Sequence, residues 1–431
     1  MPYFKDLSAM AEQVSLWADL RHEQGANVKP ALARAMRDLK KAAKELEALA
    51  PPKGTTAAEP NALTPIRALR PKGPRKLVDA PDFKKLKSRM RGAWLARAAG
   101  CTLGVPVEAW SVSDMEQLAR IGGMPFPPED YWTIHPTPDR DCYKSNTFGD
   151  YLKQNLKEVP VDDDLTYTLL GLLILEKYGP KFTTKQVGEA WVKWLPMACT
   201  AEDITLKNLK KGIPAHKAGD IDNPYQEWIG ADIRSDPWAY AAPCWPEKAA
   251  ELAYRDAILS HRGNGVYGEM FFAAAISAAF ALEDPIEAIR IGLTEIPKDC
   301  RLAEDVRWSL KQLPKLKDWR AARALVDKRF DGMHVVHTNN NACLTVFGLH
   351  LGQGDFTKTL GITVAMGLDN DCTGATAGSI LGACKGDGPI QEHWYKPFKN
   401  KARTYLRGHE EFKNSEIVDR FLAVAQSVWN G

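Results

Sequence analysis

"GLDNDCTGATAGS", residues 367–379, decides the fold. Asp369 and Asp371 flank an asparagine at the front of a run of small residues, and the apolar "ILGAC" (380–384) follows. Gly374, Gly378 and Gly382 recur every fourth residue, so on a helix they form one ridge without side chains. A second helix can approach such a ridge closely. The spacing also matches a membrane dimer motif, but in a soluble chain it predicts close packing in a core. The stretch is therefore an interior helix with two acids at its mouth.

A second stretch repeats the design. "PVDDDLTYTLLGLLILE" (160–176) places Asp162, Asp163 and Asp164 directly before a helix that is apolar nearly all round, the pattern of a helix in the middle of a bundle. The plainer explanation is capping: one Asp stabilises a helix start by about 1 kcal/mol, and Asp371 could cap a helix beginning near 372, leaving Asp369 in solvent. One cap does not need three acids, however. Adjacent carboxylates repel, and burial disfavours their charged forms. If the two helices pack together, five carboxylates converge, and neither motif contains a Lys or Arg. Hard divalent cations with oxygen ligands, Mg²⁺ or Mn²⁺, suit such a cluster, and a pair of ions would share carboxylates. The expected metal ligands are Asp162, Asp163, Asp164, Asp369 and Asp371.

The remainder of the chain reads as all-α, a large orthogonal helical bundle around this binuclear site, plus an N-terminal helical hairpin. Helical patterns appear near 84–103, 165–178, 184–195, 246–260, 266–283, 285–293, 301–312, 339–350, 355–366, 372–384 and 415–429. Two long polar or Pro-rich loops are expected, about 104–160 and 212–245. In the second, Tyr225, Trp228, Trp238, Tyr240 and Trp245 either pin the loop to the body or stack on a ligand. "HVVHT" (334–338) is a short strand-like run. Upstream, Leu7, Met10, Val14 and Trp17 form one helical stripe, and Leu32, Met36, Leu39 and Leu46 another. This hairpin is expected to dock on the main body, on a partner or on a second copy. Prolines then crowd residues 51–74, as in a linker or strap. The expected division is 1–80, hairpin and strap, and 81–431, catalytic domain.

Composition removes several classes. The 431 residues carry a net charge of +3, which leaves no electrostatic footprint for nucleic acid. The basic cluster Lys84, Lys85, Lys87, Arg89 and Arg91 reads as a solvated helix face. No apolar run reaches the ~18 residues of a membrane span, and "MPYFKDLSAM" has no apolar signal region. Eight scattered cysteines without a C-x-x-C pair point to reduced thiols, so a cytoplasmic location is expected. Nine histidines do not cluster at zinc spacing, and phosphate-loop, serine-hydrolase and H-E-x-x-H motifs are absent.

Five stretches, in this order, resemble the ADP-ribosylglycohydrolase family: "RGAWLARAAGCTLGVPVE" (91–108), "VDDDLTYTLLGLLILEKYG" (161–179), "RGNGVYGEMFFAAAISAAF" (262–280), "NNACLTVFGLHLGQGDF" (340–356) and "GLDNDCTGATAGSILGA" (367–383). The resemblance implies an all-α hydrolase with two Mg²⁺ or Mn²⁺ ions that cleaves the N- or O-glycosidic bond at the anomeric carbon of an ADP-ribosyl or related ribofuranosyl group, small or protein-linked. It places a catalytic loop acid on Glu108, with Asp163 and Asp371 catalytic among the metal ligands, and substrate contact on Gly263, Asn264 and Gly265. The chain departs from the family's motifs at Asp162 and Cys372, where threonines are usual. Sulfur is soft and Mg²⁺ hard, so Cys372 is expected to turn its sulfur away from the ions. Two other functions fit the same acids: a two-metal nucleotide phosphohydrolase, and a non-catalytic, crystallin-like protein on this scaffold.

Overall fold

The structure is a computed structural model that describes residues 4–49, 59–133 and 149–431. It divides into two compact units, residues 1–57 with 330–334, and residues 58–329 with 335–431. The smaller unit holds two helices, Lys5–Glu23 and Lys29–Glu47. They are the predicted hairpin, and Leu7, Met10, Val14, Trp17, Met36, Leu39 and Leu46 are exposed.

The larger unit is all-α. Its one sheet among the described residues is an antiparallel pair, Lys401–Arg403 with Glu411–Lys413. The core helices fall where the sequence patterns place them: Phe83–Gly104, Asp163–Tyr178, Asn264–Ala279, Thr338–Gly352, Phe356–Ala365, Asn370–Lys385 and Asn414–Asn430. Asp82 starts the first by accepting hydrogen bonds from the amides of Lys84 and Lys85. Asn264–Ala279 is buried along its whole length, as its unbroken apolar sequence requires.

Several expectations change. The first long loop contains a helix, Val112–Ile121, and its middle, 134–148, lies outside the described residues, as does the start of the strap, 50–58. The second loop is a chain of short helices that includes Ile229–Arg234 and Ser235–Ala241, with Trp238 and Tyr240 buried. Trp238 stacks on Phe182 at 4.9 Å, so the loop is pinned to the body. "HVVHT" makes a single bridge, Trp228 to His337, before the next helix begins at Thr338. The strap from residue 59 is part of the larger unit: Ile66 is fully buried, and Arg70 and Arg75 both pair with the buried Glu295. The seven cysteines among the described residues are free. No helix among those residues is long and apolar enough to cross a membrane.

Candidate metal centre

The glycine ridge of Asn370–Lys385 is filled by Phe83–Gly104, which carries a ridge of its own, Gly92, Ala96, Gly100 and Gly104. The two run antiparallel, backbone against backbone. A Cβ on Gly100 would lie 2.1 Å from the Gly374 carbonyl oxygen, and one on Gly378 2.3 Å from that of Ala96. This corrects the expectation that the two acid-bearing helices pack on each other. Phe83–Gly104 stands between their roles: it seats the second acid helix along the ridge and reaches the first through the side chains of Arg97 and Cys101.

Arg97 is fully buried. Its Nη2 donates to the Asp164 carbonyl at 2.9 Å, to Asp164 Oδ1 at 3.3 Å and to the Ile233 carbonyl at 2.8 Å. Its Nε donates to Thr168 Oγ1 at 3.0 Å, and Nη1 lies 2.7 Å from Asp236 Oδ2. Burial works against the guanidinium charge, but Asp236 and then Asp164 hold it protonated. The acid motifs lack cations of their own, yet the fold supplies one from a different helix.

The acids converge in three groups, the donor atoms of each lying within 4.8 Å of one another: Cys101, Asp162 and Asp164; Asp164, Asp371 and Cys372; and Glu108, Asp369 and Asp371. Asp162 is the N-cap of its helix and accepts from the Asp164 amide at 2.9 Å, so the capping explanation holds for one acid of three. Asp163 is half-buried on the first turn and belongs to none of the three groups. Asp369 occupies the N-cap position of the second helix without capping it. It is buried rather than solvated, and its amide donates to Asn341 Oδ1 at 3.2 Å.

The asparagine between the two aspartates fixes Glu108. Gly367 and Leu368 both have positive φ, +72° and +65°, which turns the chain sharply into the helix. There the Leu368 carbonyl accepts from the Ala109 amide at 2.9 Å, and Asn370 Nδ2 donates to the Val107 carbonyl at 3.3 Å. Glu108 is thus tied on both sides to the Asp-Asn-Asp turn, its own side chain exposed at the edge of the cluster.

Burial raises the pKa of all five aspartates. Neighbouring carboxylates raise it further: Asp162 and Asp164 act on Asp163, and Glu108 and Asp369 on Asp371. Glu108, solvent-exposed on one side only, is pushed up to about 7 by partial loss of water around its carboxyl, then by Asp369 and Asp162. Asp369 Oδ1 and Asp371 Oδ1 are buried without a protein hydrogen-bond partner. Crowded oxygen donors short of positive charge, with two carboxylate oxygens left unpartnered, suit a hard divalent cation.

Other candidates sit differently. Asn264 is fully buried and its polar atoms are engaged: Nδ2 donates to Glu59 (3.1 Å) and Glu227 (3.0 Å), and Oδ1 accepts from the Leu302 amide (2.9 Å). The Gly263 amide donates to Asn61 Oδ1 at 2.8 Å, and a Cβ on Gly265 would lie 2.3 Å from the Gln226 carbonyl oxygen. The strap covers this turn, and substrate contact there needs the strap to give way. Cys372, expected to point away, instead donates its thiol proton to Asp164 Oδ2 across 3.1 Å. Buried acids compete for any donor, and the thiol is the nearest one.

Sequence reading missed three residues. Arg97 is a lone cation among Ala and Gly in "LARAAG", which was a usable signal. Cys101 lies one turn further on. Asp232 is buried with neither carboxylate oxygen partnered, and burial pushes its pKa well up. Nothing in "IGADIRSD" marked it.

Comparison with known proteins assigns the family. The sequence profile of the ADP-ribosylglycohydrolases matches residues 82–430, and the chain belongs to that family, a family of hydrolases acting on glycosidic bonds. A solved structure described as "ADP-ribosylglycohydrolase-related protein complex" shares the fold, with a TM-score of 0.55 and 18% identity over 80% of this chain and 99% of that one. No functionally curated protein matches.

Proposed function

We propose that the chain is a metal-dependent glycoside hydrolase that cleaves the N- or O-glycosidic bond at the anomeric carbon of an ADP-ribosyl or related ribofuranosyl group. The observation that carries this reading is the Glu108–Asp369–Asp371 group: three carboxylates with donor atoms within 4.8 Å of one another, two of them buried and one at the open edge. Asp162, Asp164, Asp369 and Asp371 would hold two divalent cations, Mg²⁺ or Mn²⁺, with Asp163 completing the set from the first turn. Bound cations of this kind orient vicinal hydroxyls and acidify a water.

The protein's own groups supply the rest. Furanoside hydrolysis passes through an oxocarbenium-like transition state, which a ring of carboxylates stabilises electrostatically. Glu108, with its pKa near neutrality, is matched to take a proton from the attacking water. Its two backbone ties to the Asp-Asn-Asp turn hold it in place. Arg97 opposes the burial-driven rise of the Asp164 pKa and fixes its carboxylate from behind.

A panel of ADP-ribosyl-arginine, ADP-ribosyl-serine, nucleosides and simple furanosides, assayed with Mg²⁺ and after chelation, tests this. Cation-dependent release of the free ribosyl product is expected. Hydrolysis unchanged in the chelated protein, or release of inorganic phosphate from nucleotides instead, overturns it.

A further inference from the structure

We propose that the inner half of the acid cluster is two adjoining sulfur–oxygen donor sets that share Asp164, Cys372 with Asp164 and Asp371 and Cys101 with Asp162 and Asp164, and that they select a thiophilic divalent cation such as Zn²⁺, while the Glu108–Asp369–Asp371 half takes a hard one. The inference rests on the metal-dependent reading above and refines it.

The geometry comes from the glycine seam. Cys101 lies between Gly100 and Gly104, and Cys372 follows Asp371, whose Cα is the atom that Gly104 abuts. The two cysteines are therefore carried by the two most closely packed backbones in the site. Cys372 Sγ is 3.1 Å from Asp164 Oδ2 and within 4.8 Å of an Asp371 oxygen. Cys101 Sγ is within 4.8 Å of Asp162 and Asp164 oxygens. Asp164 is common to both groups. Zinc holds sulfur at about 2.3 Å and oxygen at about 2.0–2.2 Å in a tetrahedron, which sets neighbouring donors about 3.3–3.8 Å apart. Donors that lie within 4.8 Å of one another reach that spacing when each moves by about 1 Å or less.

Asp371 supplies a separate indication of a missing ligand. Its carboxylate is buried with Oδ1 unpartnered, and it belongs to the same group as Cys372. A cysteine serving only as a small apolar residue belongs against apolar neighbours; both of these lie against carboxylate oxygens. On binding, each sulfur exchanges its S–H bond for a sulfur–metal bond, and the proton leaves to solvent. No electrons are transferred.

The test uses full-length protein carrying Cys199→Ser, which removes an exposed thiol, stripped by chelation and titrated with Co²⁺. A sulfur-to-cobalt charge-transfer band is expected, reduced to about half in Cys372→Ser and lost in the Cys101→Ser, Cys372→Ser double variant. The preference for Co²⁺ over Mg²⁺ should fall about tenfold or more in the double variant. If the double variant does not fold, the same comparison is made with Cys372→Thr, which keeps an oxygen donor. Cobalt that raises the melting temperature without producing the band overturns the sulfur assignment and leaves the metal-dependent hydrolase standing. Absence of any cation-induced shift, together with cation-independent hydrolysis, overturns both.

Discussion

Gly104 and Asp371 meet backbone to backbone: a Cβ on Gly104 would lie 2.2 Å from the Asp371 Cα. The position of a carboxylate in the cluster is thus fixed by the absence of a side chain on a different helix. Gly104→Ala should push the Asp371 turn outward. Overpacking of this kind costs about 1–3 kcal/mol, and the melting temperature should drop. The gain in melting temperature on adding Mg²⁺ should shrink as well, because the ligands separate. A Gly104→Ala protein that melts lower but keeps the full Mg²⁺ gain would show that the contact serves stability alone.

Arg97→Met should be among the most damaging single changes. It leaves Asp236 buried without its cation and Asp164 without its donor, and removing one partner of a buried pair costs about 3–5 kcal/mol. Urea denaturation in chelator measures it. Mg²⁺ should recover part of the loss by neutralising Asp164. A loss below about 1 kcal/mol would mean that Asp236 too is protonated in the fold.

The pH dependence of the metal-free protein has a definite sign. The folded pKa values of Asp163, Asp164 and Asp371 lie well above the usual carboxylate range, and that of Glu108 is about 7. Above about pH 4 the unfolded chain has released protons that the folded chain still holds. This stability is full below the unfolded values and is lost as pH rises through the folded ones. In chelator, the melting temperature should therefore fall between about pH 5 and pH 8. The Mg²⁺ gain should grow over the same interval, since cations compete with those protons. A Mg²⁺ gain independent of pH would contradict this.

Asp369→Asn should abolish most of the Mg²⁺ gain and leave the chelated protein as stable as the wild type or more so. Asp369 caps nothing, and its carboxylate is crowded by Asp371 and Glu108. Circular dichroism melts in chelator and in Mg²⁺ separate the two effects. A large fall in chelator would identify Asp369 as a structural residue.

Removing residues 59–80 should destabilise the larger unit, although they precede the family match. Ile66 is fully buried, and an Ile→Ala change at such a site costs about 2–5 kcal/mol. Arg70 and Arg75 neutralise the buried Glu295. Solubility and thermal melts of chains starting at 59 and at 81 compare directly, and equal melting temperatures would refute the prediction.

The long helices were legible because each carries either an unbroken apolar run, as in Asn264–Ala279, or a clear stripe. The aspartate motifs were legible because a helix start needs one capping acid and not three in a row. What the sequence hid was partnership. Gly374, Gly378 and Gly382 announce a close neighbour, but only the matching spacing of Gly92, Ala96, Gly100 and Gly104 says which helix it is. Pattern reading looked for a second acid helix and passed over these residues. Short helices such as Thr200–Lys210 and Val112–Ile121 are half-exposed, and their few apolar positions sit among polar residues. Composition marked the strap as a linker, because the pairing of Arg70 and Arg75 depends on Glu295, more than two hundred positions away.

The seam between Phe83–Gly104 and Asn370–Lys385 has one more consequence. Where side chains separate two helices, exchanging one residue for another reshapes the gap, and a site above it can drift as lineages diverge. Here the gap is set by peptide groups, which every sequence shares. The spacing of Cys101 and Asp371 across the seam is then insulated from repacking elsewhere in the bundle. Surrounding loops are free to vary and to recruit new substrates, while the seam itself admits almost no substitution.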